Sequence, residues 1–298
     1  MNENKRAIAL GFFDGIHIGH SALISKVLNI AIDTGLTPSV VTFDTHPQTL
    51  VRGETTPLIT SLEDRVGLIN RLFHIDDIIF LHFDSNTANM PWYEFIDHLS
   101  SEFSAGHLVA GHDFKFGRGG AGNSSLLMEK CREMGIGCDI IPEVKLDGIT
   151  CSSTFIRELI ASGDIERANE FLGHPHVLTN VVRYGYRLGR TLGSPTINML
   201  FEDDVLVPAF GVYATKVYLE DGSNHLGVSN IGVRPTVDNS TQQVTAETHI
   251  LDFDGNLYGR KVRIEFHKYI RKEIKFSHTD ELRAQIQKDC ISAKSYFR

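Results

Sequence analysis

The apolar pattern of this chain changes period once, near Gly173-His174-Pro175. Before that point, short β-branched and apolar runs alternate with stretches whose apolar residues recur every three or four positions. Residues 7–13, 39–43, 78–83, 108–111 and 138–141 read as strands. Residues 20–34, 62–73, 91–103 and 126–134 read as helices. Gly35 and Gly135 are stops, and Ser61-x-x-Asp64 is a cap. Such alternation predicts a parallel sheet covered on both faces, which binds ligands beyond the carboxyl ends of its strands. Residues 153–172 read as two short helices split near Gly163-Asp164. Past Gly173 strand follows strand, at 177–184, 212–219, 226–231, 245–251 and 261–266, with Gly, Pro, Asp and Asn between them. That predicts an all-β module, a small barrel. A last stripe, Leu282, Ile286, Cys290 and Ala293, predicts one closing helix capped by Ser277.

Two domains follow, an α/β module over 1–173 and a β-barrel over 174–298, and 298 residues suit two at about 150 each. Charge is split the same way. Residues 1–176 hold 13 basic and 23 acidic side chains, net −10, and 177–298 hold 16 and 14, net +2. A chain at −8 overall is a poor match for a phosphate backbone, so no nucleic-acid partner is expected. No apolar run approaches the ~18 residues of a membrane helix, and no membrane partner is expected. The first apolar run meets Asp14 where a signal-peptide cleavage site would lie, so it reads as a buried strand. Cys131, Cys138, Cys151 and Cys290 form no CxxC, and a chain this long buries a core without staples. The expectation is a reduced, cytoplasmic protein. Oligomeric state has no signature in the sequence.

The most specific string is Gly11-Phe-Phe-Asp-Gly-Ile-His-Ile-Gly-His20, where the first strand turns into the first helix. A helix start offers free N–H donors and a positive dipole end, which favour phosphate. Gly15 and Gly19 let the backbone approach a ligand. His17 and His20 share one side of the helix start and can hydrogen-bond an α-phosphate as its charge builds. The plain alternative is a solvated or structural pair. A zinc site lacks a third ligand at suitable spacing. His-Ile-Gly-His also occurs in class I aminoacyl-tRNA synthetases, but their Lys-rich second loop is missing here.

Ser152-Ser-Thr-Phe-Ile-Arg157 is either an ordinary N-cap or a set of hydroxyls and one cation for the β- and γ-phosphates of ATP. In the Gly-rich loop from Gly111 to Asn123, Phe114 and Phe116 pack either on a flat ring or into the core. No G-x-x-x-x-G-K-[ST] occurs, which excludes a P-loop. In the second half, Gly185-Tyr-Arg-Leu-Gly-Arg-Thr-Leu-Gly-Ser-Pro-Thr-Ile-Asn198 can wrap a phosphate chain. Thr196 and Asn198 share a face if extended, and their neutral oxygens suit Mg²⁺ beside phosphates, the alternative being a polar turn. Glu247, on a strand, is either on a wet face or a base for a sugar-chain hydroxyl. Arg271 is a surface charge or a ligand contact.

Taken together, these strings resemble the prokaryotic bifunctional riboflavin kinase/FMN adenylyltransferase family, also called FAD synthetase. Its first-half pattern is G-x-F-D-G-x-H-x-G-H, T-F-x-P-H-P, G-x-D-F-x-F-G and S-S-T-x-I-R. The chain has each in order, the second as Thr42-Phe-Asp-Thr-His-Pro47, with Thr45 where proline is usual. The second-half pattern, G-R-x-L-G-F-P-T-x-N, G-V-Y, N-I-G-x-R-P-T, E-x-H, Y-G and I-R-x-E-x-K-F, falls on 189–198, 211–213, 230–236, 247–249, 258–259 and 270–276. Two departures lie in that half, Ser194 for the usual Phe and Asn180 for a common Gly.

The resemblance implies an N-terminal nucleotidyltransferase module with a Rossmann-like parallel sheet and a C-terminal kinase barrel with its closing helix. It implies riboflavin, FMN, FAD and ATP as substrates and products, with Mg²⁺. His17, His20 and Glu247 would be catalytic. ATP and its phosphates would be held by Gly11, Phe12, Asp14, Gly19, Ser152, Ser153, Thr154, Arg157, Gly189, Arg190 and Gly193. Asp113, Phe114, Phe116, Asn123, Arg271 and Phe276 would meet flavin, and Thr196 and Asn198 the metal. Two rivals stay open: the same fold with only the FMN adenylyltransferase working, and a flavin- or nucleotide-binding regulator without turnover.

Overall fold

The computed structural model describes residues 5–44, 56–184, 195–234 and 243–298. The chain divides into two compact units. The first is Met1–Pro57 with Arg65–Ser152, and the second is Leu58–Asp64 with Ser153–Arg298. In chain order come β1 (Arg6–Leu10), α1 (Ile18–Thr34), β2 (Thr37–Phe43), α2 (Leu62–Phe73), β3 (Ile78–Leu81), α3 (Ser85–Asn89), α4 (Trp92–Phe103), β4 (Ala105–Gly111), α5 (Ser124–Met134) and β5 (Gly137–Ile141), then a short hairpin, β6 (Lys145–Leu146) and β7 (Ile149–Thr150).

The five longer strands of the first unit form one parallel sheet in the order β3-β2-β1-β4-β5. The chain runs outward from β1 on one side, then returns to build β4 and β5 on the other. The order therefore reverses beside β1, and the carboxyl end of β1 is the place where such sheets hold ligands. β1 is buried on both faces, with Ala7, Ile8 and Ala9 at 0% exposure. That explains its unbroken apolar run. It stops at Leu10, short of residue 13, because Phe13 turns the backbone into the left-handed region at φ 56°. Ile8, Leu10, Ile96, Leu99, Leu108 and Leu127 are the centre of the core beneath. Gly35 and Gly135 end α1 and α5 at φ 71° and 67°. The Ser61 hydroxyl accepts from the Asp64 amide at 3.0 Å, as the cap motif requires.

In the second unit, α6 (Ser153–Ser162) and α7 (Ile165–Leu172) precede β8 (His176–Val181), β9 (Thr196–Leu200), β10 (Gly211–Tyr218), β11 (Asn224–Arg234), β12 (Gln243–Ile250), β13 (Lys261–Arg271) and α8 (Thr279–Tyr296). The six strands run antiparallel in the order β8-β13-β10-β11-β12-β9. The sheet curls until its edges meet. The Arg183 amide donates to Asn198 O at 2.8 Å, and Asn180 Nδ2 donates to Leu200 O at 3.0 Å. Asn180, a departure from the family pattern, thus helps close the barrel. One sheet face, with Val212, Ala214 and Val228, packs against Ala293 of α8. The other, with Tyr213, Thr215, Ser229, Ile231 and Thr248, is also fully buried.

Two expectations need correction. β9 is an added strand, concealed in the sequence by the glycines and Pro195 before it. The cap of α8 is His278, with no side-chain bond, while the Ser277 amide donates to Glu281 Oε2 at 3.3 Å.

Candidate functional site

Each unit carries a site. In the first, the Gly11–His20 string leaves β1 at the reversal point of the sheet. Its backbone is tightly wound: Phe13, Gly15 and Ile16 all have positive φ, at 56°, 79° and 43°. For a β-branched residue such as Ile16 this conformation is an outlier, and strain of this kind collects where a loop must hold a ligand. Phe12 is braced from behind. Its carbonyl accepts from Thr42 Oγ1 at 2.8 Å, and the Arg65 guanidinium lies over its ring at 4.3 Å. Arg65 is fully buried and also donates to Phe43 O at 2.9 Å. Its signal in the sequence is a cation at a stripe position of α2, with Leu68 and Ile69 one turn on.

His17 is the N-cap of α1, its Nδ1 accepting the His20 amide at 3.2 Å. That bond places the His17 proton on Nε2, where it is a donor. The two imidazoles stack with centroids 3.5 Å apart, and Phe13 meets His20 edge-on at 5.2 Å. A Cβ on Gly19 would stand 3.0 Å from His17 Cε1 and would press on the imidazole by a few tenths of an ångström. Burial first, then the nearby His17 and Arg65 charges, hold the His20 pKa well below 6.5, so the ring is neutral at pH 7. His20 Nδ1 is buried and has no hydrogen-bond partner among the described residues. Asp14 is buried.

The helix start differs from expectation in one respect. The Ile18 and Gly19 amides are directed at the Cys151 sulfur, the His20 amide at His17 and the Ser21 amide at the His17 carbonyl. The first amides of α1 therefore already have partners, two of them a weakly accepting sulfur. Burial pushes the Cys151 thiol up.

In the loop after β4, Phe116 is 5% exposed and joins the core, while Phe114 stacks on it from the partly open side. Asn123 caps α5, its Oδ1 accepting the Ser125 and Leu126 amides. Asp113 follows the carboxyl end of β4. Ser152 ends the first unit, and Ser153, Thr154 and Arg157 lie in the opening turns of α6. His46 and Pro47 lie outside the described residues, as do Gly189, Arg190, Gly193 and Ser194.

The barrel site is built on three neighbouring strands. Asn198, Glu247 and Asn230 pair across β9, β12 and β11, so their side chains stand in one row. Thr196, two residues from Asn198, donates its hydroxyl to Glu247 Oε1 at 2.6 Å. Asn230 Nδ2 donates to Glu273 Oε1 at 2.9 Å. Two cavities adjoin Thr196. One, of about 340 Å³, lies between the sheet and α8. Val212, Val228, Ile274, Phe276, Leu282 and Ile286 give it apolar walls, and Thr196, Asn230, Glu247, His249, Arg271, Glu273 and Asp289 are its polar groups. The other, of about 500 Å³, is lined by Tyr184, Pro195, Ile197 and residues 253–258, with Tyr184 stacked on Tyr258 at 4.2 Å. Arg271 is not a loose surface charge. Its Nε and Nη2 grip the Asp289 carboxylate at 2.7–3.1 Å. Asn230 and Glu273 are fixed positions of the quoted strings that carry no assigned role there, and Asp289 lies outside those strings.

Comparison with known proteins follows the same division. The FAD synthetase family model matches residues 1–155 and the riboflavin kinase model residues 172–297. Bifunctional riboflavin kinase/FMN adenylyltransferases from Bacillus subtilis, Haemophilus influenzae and Escherichia coli K12 are 36%, 35% and 34% identical. They align over 98%, 98% and 97% of this chain and 93%, 94% and 92% of their own. A crystal structure described as a macrolide-efflux protein from Streptococcus pneumoniae has the same architecture, at TM-score 0.85 and 27% identity over 97% of this chain and 94% of that one. No described helix here is long and apolar enough to cross a membrane. With both modules matched along nearly its whole length, the chain belongs to the bifunctional riboflavin kinase/FMN adenylyltransferase family.

Proposed function

We propose that this chain makes FAD from riboflavin in two ATP-consuming steps, with residues 174–298 acting first and residues 1–173 second. The observation that carries the first step is the Thr196–Glu247 pair at the seam of two cavities. The cavity under α8 has apolar walls and convergent polar groups, which suit a flavin ring with its polar edge and side chain. The other suits a nucleotide, with its phosphates toward Thr196. Glu247, oriented by the Thr196 hydroxyl, takes the proton of the terminal ribityl hydroxyl. That oxygen attacks the γ-phosphorus of ATP, and ADP leaves. Thr196 and Asn198 offer neutral oxygen donors, and Asn198 is 6% exposed, which fits Mg²⁺ with water and phosphate completing its shell. Neutralisation of phosphate charge is the chemistry such an ion supplies.

In the second step an FMN phosphate oxygen attacks the α-phosphorus of another ATP and expels pyrophosphate. His17 Nε2–H and the neutral His20 ring are donors for the charge that builds there. The Ile18 and Gly19 amides, whose partner is a weakly accepting sulfur, are helix-start donors open to a phosphate oxygen. Asp113 and Phe114 are the loop groups left for the flavin. Four free cysteines suit a reducing compartment, and we place the protein in the cytoplasm.

Incubation with riboflavin, ATP and Mg²⁺, followed by chromatography, tests both steps. FMN followed by FAD is expected. FMN converted to FAD with riboflavin untouched would leave one working module. No turnover of either flavin would leave a binding protein.

A further inference from the structure

The cavity under α8 has a wall that moves only if α8 moves. Leu282 and Ile286 form that wall, and the sheet opposite them carries Glu247. One partly buried ion pair, Arg271 with Asp289, ties the two sides together. Asp289 is 3% exposed and lies on the helix face of Leu282 and Ile286. Its two oxygens accept Arg271 Nε at 3.0 and 3.1 Å and Nη2 at 2.7 Å, and Gln285 Nε2 donates to Oδ1 at 2.9 Å. Arg271 is the last residue of β13, opposite Val212 in the neighbouring strand. Its Nη1 donates to Lys272 O at 2.9 Å, so both ends of the guanidinium are fixed.

An arginine has five N–H groups in a planar fork. Nε–H, one Nη2–H and one Nη1–H are committed to Asp289 and Lys272 O. One hydrogen on each terminal nitrogen remains for the cavity. The bidentate grip decides which way that edge faces.

Resting on the reading of this cavity as the flavin site, we propose that Asp289 is a positioning residue for riboflavin phosphorylation. It aims Arg271 and holds α8 at a fixed distance from Glu247. It touches neither reacting atom. Loss of its charge loosens flavin binding while leaving the chemistry at Glu247 intact.

Asp289→Asn keeps the shape, removes the charge and turns one acceptor into a donor facing Arg271. In the full chain with Mg²⁺ and ATP, the riboflavin KM of the kinase step is expected to rise tenfold or more, with kcat within about threefold of wild type. Asp289→Glu should recover part of that rise. FMN adenylylation in the same preparation should be unchanged. An unchanged riboflavin KM in D289N would overturn the proposal. So would a joint fall of kcat and melting temperature, because that marks a purely structural role. If D289N does not fold, Gln285→Ala serves instead: a KM raised twofold or more supports the proposal, and an unchanged KM sinks it. Wild-type protein that fails to phosphorylate riboflavin would fault the reading of the cavity itself.

Discussion

His17 does two jobs with two nitrogens. Nδ1 caps α1, which orients the ring, and that leaves Nε2–H as a fixed donor. His20 is kept neutral by burial and by the positive charge of Arg65. A His17→Ala, His20→Ala double variant should therefore lose FMN adenylylation by 10² or more, the scale of removing preorganised donors. Riboflavin phosphorylation, measured as FMN accumulation, should persist. Because His20 is neutral well below pH 6.5, its titration should contribute no acid limb near pH 6.5 to the adenylylation rate profile. An acid limb there that disappears on replacing His20 would contradict this. Glu247→Gln should reverse the pattern, cutting the kinase step by 10²–10⁴ while FMN is still converted to FAD. The histidines and Glu247 were legible because they stand in long, ordered strings. Arg65 and Asp289 were not, because each is a single polar residue whose partner is distant in sequence. The Cys151 contact with α1 was hidden for the same reason: residues 18 and 151 meet only in the folded sheet.

At the level of elements, the longer helices and most strands follow from period alone, since each buries one stripe or both faces, whereas the five-residue α3 buries none and leaves no period to read. β9 was hidden because its five residues directly follow the glycines and Pro195, so the whole stretch reads as one loop. The stripe of α8 faces the sheet as expected, with Ala293 buried and Leu282, Ile286 and Cys290 partly so. The helix also buries Asp289, and a buried aspartate is invisible to an apolar pattern. The docking of α7 on the barrel was also unreadable. Asn169 Nδ2 donates to Phe266 O at 2.8 Å and its Oδ1 accepts the His176 amide at 2.8 Å. One side chain thus satisfies a strand carbonyl and a strand amide. Asn169→Ala should destabilise the second unit by about 1–3 kcal/mol, read from urea unfolding, because both backbone groups would be left in a part-buried setting without it.

For the whole molecule, acid is the weak side. His176 is 1% exposed, and neither ring nitrogen has a hydrogen-bond partner among the described residues. Burial, then neighbouring His174, pushes its pKa down to about 3. A pKa lowered by folding means that protonation favours the unfolded chain. Its contribution to stability is whole above about pH 6.5 and is lost as pH falls toward 3, by about 1.4 kcal/mol per unit. His20 acts in the same direction. Melting temperature should decline from pH 7 to pH 5, and His176→Phe should flatten that decline. An equal decline in the variant would assign acid sensitivity to other groups. The central claim is that one chain holds two separable catalytic sites, and the direct measurement is a time course of riboflavin, FMN and FAD for three proteins. Wild type should form FMN and then FAD. The double histidine variant should stop at FMN, and Glu247→Gln should leave riboflavin untouched while converting supplied FMN to FAD. Loss of both steps in either variant, or FAD made from riboflavin by both, would contradict the account.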